Sequence, residues 1–354
     1  MNMQHRNFTY AALVVLCLIT VAPGAAHADS TVTLHGLADA FVGRMKSSGE
    51  AGRGTTVGNG GLTTSWFGLS GREKIGNNLT ATFDLESFFQ VNTGKGSRSR
   101  PGDTFFSRQA TVGLKGDWGT IKLGRNHAPN FFPLVFSNPF GASTTSSPLY
   151  VHAHMPTIGT RGPAWANTIQ GDAGWSNSLT YQTPRVGGFT GTIVYQFGTS
   201  DQDNSKNNIG ANVVYRSGPF LATAFVQRVR LDNPNGLPLG PILTEETTWF
   251  GGMSYNFKWL KLYASYQKSQ HKTPLKDKTW QLGASVPAGH GKFMLSWAHT
   301  DRDSGAAKFK RDTVSGAYDY PLSKRTDVYL LAMFDKVTNY SSAGSVGIGM
   351  RHRF

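Results

Sequence analysis

From about residue 31 to its end the chain is written in stretches of about ten residues in which apolar and polar positions alternate one by one. Leu79, Ala81, Phe83 and Leu85 alternate with Thr80, Thr82, Asp84 and Glu86. Trp249, Gly251, Met253, Tyr255 and Phe257 alternate with Phe250, Gly252, Ser254, Asn256 and Lys258, and Leu260, Leu262, Ala264 and Tyr266 with Lys261, Tyr263, Ser265 and Gln267. A period of two places each set on its own face of a β-strand. In the last stretch Val346, Ile348, Met350, His352 and Phe354 share one face, and Ser345, Gly347, Gly349, Arg351 and Arg353 share the other. An apolar face backed by a basic, small-residue face suits a strand with lipid on one side and water on the other.

The pattern predicts sixteen strands, near 31–45, 62–74, 79–92, 104–116, 119–126, 174–183, 189–199, 208–217, 220–230, 246–257, 260–270, 277–287, 291–301, 309–320, 325–336 and 343–354. Any one of these would also fit a soluble sandwich; their spacing would not. Every second connection is tight, at 75–78, 117–118, 184–188, 218–219, 258–259, 288–290 and 321–324, and the connections between are mostly longer and rich in Gly, Ser and Asn, as at 46–61, 93–103 and 233–245. An even number of strands with short and long connections in alternation is how outer-membrane barrels divide periplasmic turns from external loops. The expected fold is all-β: a 16-stranded antiparallel transmembrane β-barrel in one domain, with no linker or composition break.

The amino-terminal stretch locates such a barrel. Arg6 precedes an apolar run from Ala11 to Ala22, followed by Pro23-Gly24 and the small-residue pattern Ala26-His27-Ala28. This reads as a cleaved secretory signal over 1–28, with the barrel over 29–354, since the run is shorter than the roughly 20 residues of a spanning helix. Cys17, the only cysteine, lies inside the run, with Leu16 before it and Leu18, Ile19 and Val21 after it. That context does not suit a lipid-anchored cysteine, and the exported protein is left to be stable without disulfides. Beyond it no apolar stretch of about 18 residues remains, so any span must be a strand.

Charge then narrows the partners. Lys and Arg number 35 against 21 Asp and Glu, a net +14, and the signal removes only Arg6 from this balance. Export argues against nucleic acid, leaving anionic lipopolysaccharide outside or anionic solutes in a basic lumen. The ten histidines show no metal spacing: His152 and His154 share a strand-like face with no third ligand nearby in sequence. No Gly-x-Ser sits on a strand-to-helix turn, and there is no nucleotide fingerprint. Neither an enzyme nor a cofactor is expected.

At this point several stretches resemble the general diffusion porins of Gram-negative outer membranes, especially their betaproteobacterial branch. They are TVTLHGLADA at 31–40, FGLSGRE at 67–73, FDLES at 83–87, FFSRQATVGL at 105–114, WGTIKLGR at 118–125, NSLTYQTP at 177–184 followed by Gly187-Gly188-Phe189, and GMRHRF at 349–354. The resemblance runs from the first expected strand to the last. It implies a homotrimer in the cell outer membrane, reached with the help of periplasmic chaperones and the barrel-assembly machinery, surrounded by lipopolysaccharide and outer-membrane lipid. Phe354 would be the aromatic assembly signal. It further implies a third external loop folded into the pore, placed in the irregular stretch 127–173, with acids on that loop facing basic residues on the wall. Arg108 and Arg125 match two of the family's basic positions at the pore wall; Arg72, in one of the matching stretches, and Lys122 join them.

The chain departs from the family pattern in one direction. Trp66 stands where an arginine is usual, as do Ser70 and Gly174, the latter beside Trp175; Asn138 stands where an acid is often found, before Pro139-Phe140-Gly141. From Trp118 to Gly171 there is no Asp or Glu at all. Without loop acids the field is expected to come from Arg108 and Arg125, with Lys122 and Arg161, and to favour anions. Trp66, Trp165, Trp175, Phe131, Phe132 and Phe140 add aromatic surface that would either stack a planar solute or anchor the loop. The expected function is a passive water-filled channel for small hydrophilic solutes, anion-preferring. The alternatives are a channel preferring aromatic or sugar-like solutes and, from other classes, an adhesin or a barrel enzyme.

Overall fold

The computed structural model describes residues 30–52, 54–98, 103–153, 172–198, 206–233 and 245–354. The expected leader with Cys17, and the loop residues His154, Arg161 and Trp165, lie outside these. The strands are β1 (Ser30–Arg44), β2 (Thr56–Asn59), β3 (Trp66–Lys74), β4 (Thr80–Phe88), β5 (Gln109–Gly116), β6 (Gly119–His127), β7 (Gly174–Gln182), β8 (Phe189–Gln196) and β9 (Asn208–Ser217). There follow β10 (Phe220–Val229), β11 (Glu246–Asn256), β12 (Lys261–His271), β13 (Lys276–Ala288), β14 (Gly291–Asp303), β15 (Lys308–Pro321), β16 (Thr326–Val337) and β17 (Ala343–Arg353). Between β6 and β7 stand two short helices, α1 (Phe131–Phe136) and α2 (Pro148–Ala153).

Neighbours from β3 to β17 pair antiparallel in chain order, and β1 closes the ring by pairing with β17 on one side and β3 on the other. At the seam Val42 faces Ile348 and Ala40 faces Met350, while Gly36 and Phe354 exchange backbone hydrogen bonds of 3.1 and 3.0 Å. Closure leaves no sheet edge, which a backbone in hydrocarbon cannot tolerate. Sixteen strands form the antiparallel barrel. The additional β2 lies within the first loop and continues the β3 edge against the loop end of β1. The alternation of short and long connections holds early in the chain and fades later: 272–275, 304–307 and 338–342 are as short as the turns.

Burial runs opposite to that of a soluble protein. On β17 Val346, Ile348 and Met350 are more than half exposed, and on β14 so are Phe293 and Leu295, whereas Thr279, Gln281, Ser296, Thr313 and Ser315 are buried. The exposed apolar face meets lipid and the polar face looks inward. Outward-facing Trp249, Trp280 and Trp297 toward the loop end, and Tyr255, Phe257 and Trp259 toward the turn end, form the aromatic belts expected at the two membrane interfaces.

Inside, the first loop is tied down by Asp39. Its fully buried carboxylate accepts from the amides of Gly61, Leu62 and Thr63 at 2.8–3.0 Å and from the Tyr329 hydroxyl at 2.5 Å. Phe41, Leu62, Phe140, Met294, Ala317, Tyr329 and Leu331 then pack into a small core where loop meets wall.

Candidate solute pathway

The stretch 128–153 touches inward-facing groups around much of the barrel. Asn212 on β9 donates to the Pro129 carbonyl at 2.8 Å, Ser143 and Ser146 donate to the Gly61 carbonyl, and His152 bonds Thr300 and Thr313 through its two ring nitrogens at 2.8 and 2.7 Å. On β11 a side chain at Gly252 would begin 2.1 Å from the Ser137 hydroxyl, so glycine admits the loop there. Asn138 organises the stretch locally: its amide donates to the carbonyls of Leu134 and Gly141 and accepts from the Phe140 amide.

Burial, followed by the positive charge of Arg311, holds the His152 imidazole well below its usual range, hence neutral. A lowered histidine leaves docking of this loop unaffected above about pH 6.5 and weakens it below, by about 1.4 kcal/mol per pH unit until the bound form also protonates. Acidification from pH 7 to pH 5 is therefore expected to raise current noise in planar bilayers, and His152→Gln to flatten that dependence. Identical acid profiles for the two proteins would rule His152 out as the cause.

Against the loop stands the wall of β3 to β6. Strand alternation turns Trp66, Ser70, Arg72 and Lys74 of β3, Glu86 and Asp84 of β4, Gln109 and Lys115 of β5, and Lys122 and Asn126 of β6 inward. Near the loop end the Arg108 guanidinium lies 4.0 Å from the Trp66 ring centre and 5.9 Å from that of Phe131, and it is ion-paired with Glu86. His127 stacks on Phe131 at 4.3 Å. Lys122 reaches Asp84 at 2.8 Å, passing Gly113, where a side chain would crowd it. A recess of about 350 Å³ is bordered here by Trp66, Arg108, Lys122, Phe132, Gln182 and Asn212.

Arg125 is not part of that recess. It is in step with the outward Ile121 and Leu123, and it is buried against the carbonyls of Ser107 and Gly174, the Ser176 hydroxyl and Asp172 at 3.1 Å. Arg98 shares Asp172 and also bonds Asp103; burial opposes its charge, and the two carboxylates more than restore it, holding its proton more tightly than usual. Trp175 faces inward because β7 carries a bulge, marked by Asn177 at φ 50°, that reverses the alternation. Its ring is nevertheless fully buried among Ala128, Val194 and Val229, an anchor for the start of the loop. Phe131 and Phe140 are buried too, whereas Phe132 is 38% exposed.

Toward the turn end the picture changes. Arg72, Lys74 and Lys115 are exposed on the inner wall and, among the described residues, form no ion pair. They border a wider recess of about 630 Å³ with Thr31, Thr80 and the turn 76–79. Across the lumen Arg311 is matched with Asp335, Arg302 with Asp277, Arg351 with Asp327 and Asp319, and Lys292 with Asp319, while Arg216 lies over the Phe136 ring at 4.4 Å and Lys261 over that of Tyr263 at 4.8 Å.

This closed barrel corresponds to a known lineage. A family model described as Gram-negative porin matches residues 12–340. The chain belongs to the Gram-negative porin family. It is 29% identical to outer membrane porin protein 32 of Delftia acidovorans and 28% identical to an outer membrane porin protein of Bordetella pertussis, in each case over 97% of this chain and 99% of the relative. An anion-selective porin from Comamonas acidovorans superposes with a TM-score of 0.75 at 26% identity, over 92% of this chain and all of that one. A trimer form of OmpT from Vibrio cholerae shares the fold, with a TM-score of 0.66 at 12% identity. The porin is thus a multi-pass protein of the outer membrane. What sequence reasoning missed in it are the acids Glu86, Asp84 and Asp172, which neutralise the conspicuous cations, and the unpaired Lys74 and Lys115. The inward parity of the strands was the available signal for these two lysines.

Proposed function

We propose that this porin is a passive, water-filled channel for small hydrophilic solutes, narrowed by the stretch 128–153 and preferring anions. The observation that carries the preference is the presence of Arg72, Lys74 and Lys115 on the inner wall without acidic partners among the described residues, in a protein with no acid anywhere from residue 118 to residue 171. In a narrow aqueous lumen bounded by low dielectric, uncompensated fixed charge attracts counter-ions more strongly than in bulk water. Likeness to the anion-selective porin from Comamonas acidovorans supports the same reading. With concentrated and dilute KCl on the two sides of a bilayer, the dilute side is expected to turn negative as chloride leads. A positive dilute side would refute the preference.

The assembly is read as a homotrimer, on the resemblance and on the trimer form of the Vibrio cholerae relative; native crosslinking that yields only monomers would refute it. Lys268, Lys278 and Lys310 face outward near the loop end, with Lys268 opposite Lys278, and suit lipopolysaccharide phosphates. A second reading, preference for aromatic or sugar-like solutes, draws on the exposed Phe132 ring beside Gln182, Thr192 and Asn212.

A further inference from the structure

The unpaired cations at the turn end are arranged for more than a diffuse field. Lys74 faces Thr80 across one strand pairing and Thr80 faces Lys115 across the next, so the three form one row. The two lysine backbones stand two strand spacings apart, roughly 10 Å, with the Thr80 side chain between them. Arg72 is the next inward residue on β3, opposite Thr31 and Thr82. All three cations open into the same recess of about 630 Å³. The one carboxylate bordering it is Asp117, in the β5–β6 turn, which accepts from the Asn78 amide at 2.7 Å.

Three cations thus meet one acid, and that acid is already engaged at the rim. The lysines carry compact charges on flexible stems, and the arginine offers a planar fork that matches two oxygens at once. Chloride can answer only one such group at a time. An oxyanion bearing two or more charges can span the row, taking Lys74 and Lys115 from either side, with the Thr80 hydroxyl between them and Arg72 and the Thr31 hydroxyl above. The cations nearer the loop cannot do this, because Arg108 and Lys122 are held by Glu86 and Asp84.

We propose that the periplasmic mouth of this porin carries a binding site for small multivalent oxyanions, built from Arg72, Lys74 and Lys115. The proposal rests on the reading of the lumen as the solute pathway and adds a site with a side: the turn end faces the periplasm in an outer-membrane barrel. Its consequence is an asymmetric channel, in which multivalent anions linger at the inner exit and hinder chloride from that side.

The test uses the purified channel in planar bilayers, its orientation checked by attaching a thiol label at Ser323→Cys in the β15–β16 turn. Inorganic pyrophosphate is added to one chamber at a time while chloride current is recorded. Block is expected at about tenfold lower concentration from the turn side than from the loop side, because the unpaired charges are reached first from there. The triple change Arg72→Gln, Lys74→Gln and Lys115→Gln should abolish the difference between sides. Lys115→Gln alone should reduce it, which keeps the test informative if the triple variant does not assemble. The paired neutralisation Arg108→Gln with Glu86→Gln should leave it intact. Equal block from both sides of the wild-type channel, or sided block that persists in the triple variant, would overturn the site. If the channel selects chloride yet shows no sidedness, this inference alone fails; if it shows sided block without chloride selectivity, the anion preference alone fails.

Discussion

Removing Phe354 is expected to lower the amount of folded barrel in the outer membrane by about tenfold or more, with export to the periplasm unaffected. The residue stands at the seam. Its amide donates to the Gly36 carbonyl and its carbonyl accepts from the Gly36 amide, while its ring lies against Gly36, where a side chain would begin 2.9 Å from the ring. Two lost hydrogen bonds of about 1 kcal/mol each already shift a folding equilibrium by at least tenfold, and they open an edge where the sheet must close. Phe354→Asp separates the contributions. It keeps both backbone bonds but places a charge on the lipid-facing register beside Val346, Ile348 and Met350. If it fails as the deletion does, the two backbone bonds do not suffice without an uncharged, apolar end; if it folds normally, the backbone bonds suffice and the proposed role of Phe354 as an assembly signal is wrong. The readout is the heat-modifiable band of outer-membrane fractions against total exported protein.

The strands were legible because a wall with lipid on one side and water on the other imposes a period of two on every segment, and turn residues mark where each ends. The resemblance placed the long loop after the fifth of the sixteen wall strands, where 128–153 is found. Position within the site was harder to read. Trp175 depends on a bulge at Asn177 that no propensity announces, and the burial of its ring depends on Val194 and Val229 from two other strands. Arg125 is conspicuous in sequence, yet its alternation follows Ile121 and Leu123, and Asp172, one residue beyond the acid-free stretch, claims its charge. The same holds for Arg108 and Glu86, which are separated by the loop between β4 and β5 and meet only when those strands take their register. Ion pairing is a property of register, so a count of acids along one loop did not reveal which cations remain free.

The division between paired and free cations in the lumen has a large effect of its own. Neutralising Arg108 alone would leave Glu86 uncompensated and change the net charge of the lumen as much as removing a free cation, so single substitutions cannot separate the two classes. Neutralising whole units can. The reversal potential in a KCl gradient should be compared between the wild type, the pair Arg108→Gln with Glu86→Gln, and the triple Arg72→Gln, Lys74→Gln and Lys115→Gln. An unpaired unit charge near a passing ion is worth about 1 kcal/mol in water at close range, so the triple variant should lose roughly fivefold or more of its anion-to-cation permeability ratio at low salt. The loss should shrink as salt rises, because the screening length falls to about 10 Å at 0.1 M. The paired variant should keep the wild-type reversal potential. A paired variant that loses its chloride preference, with a triple variant that keeps it, would contradict the account and return the field to the loop-level residues.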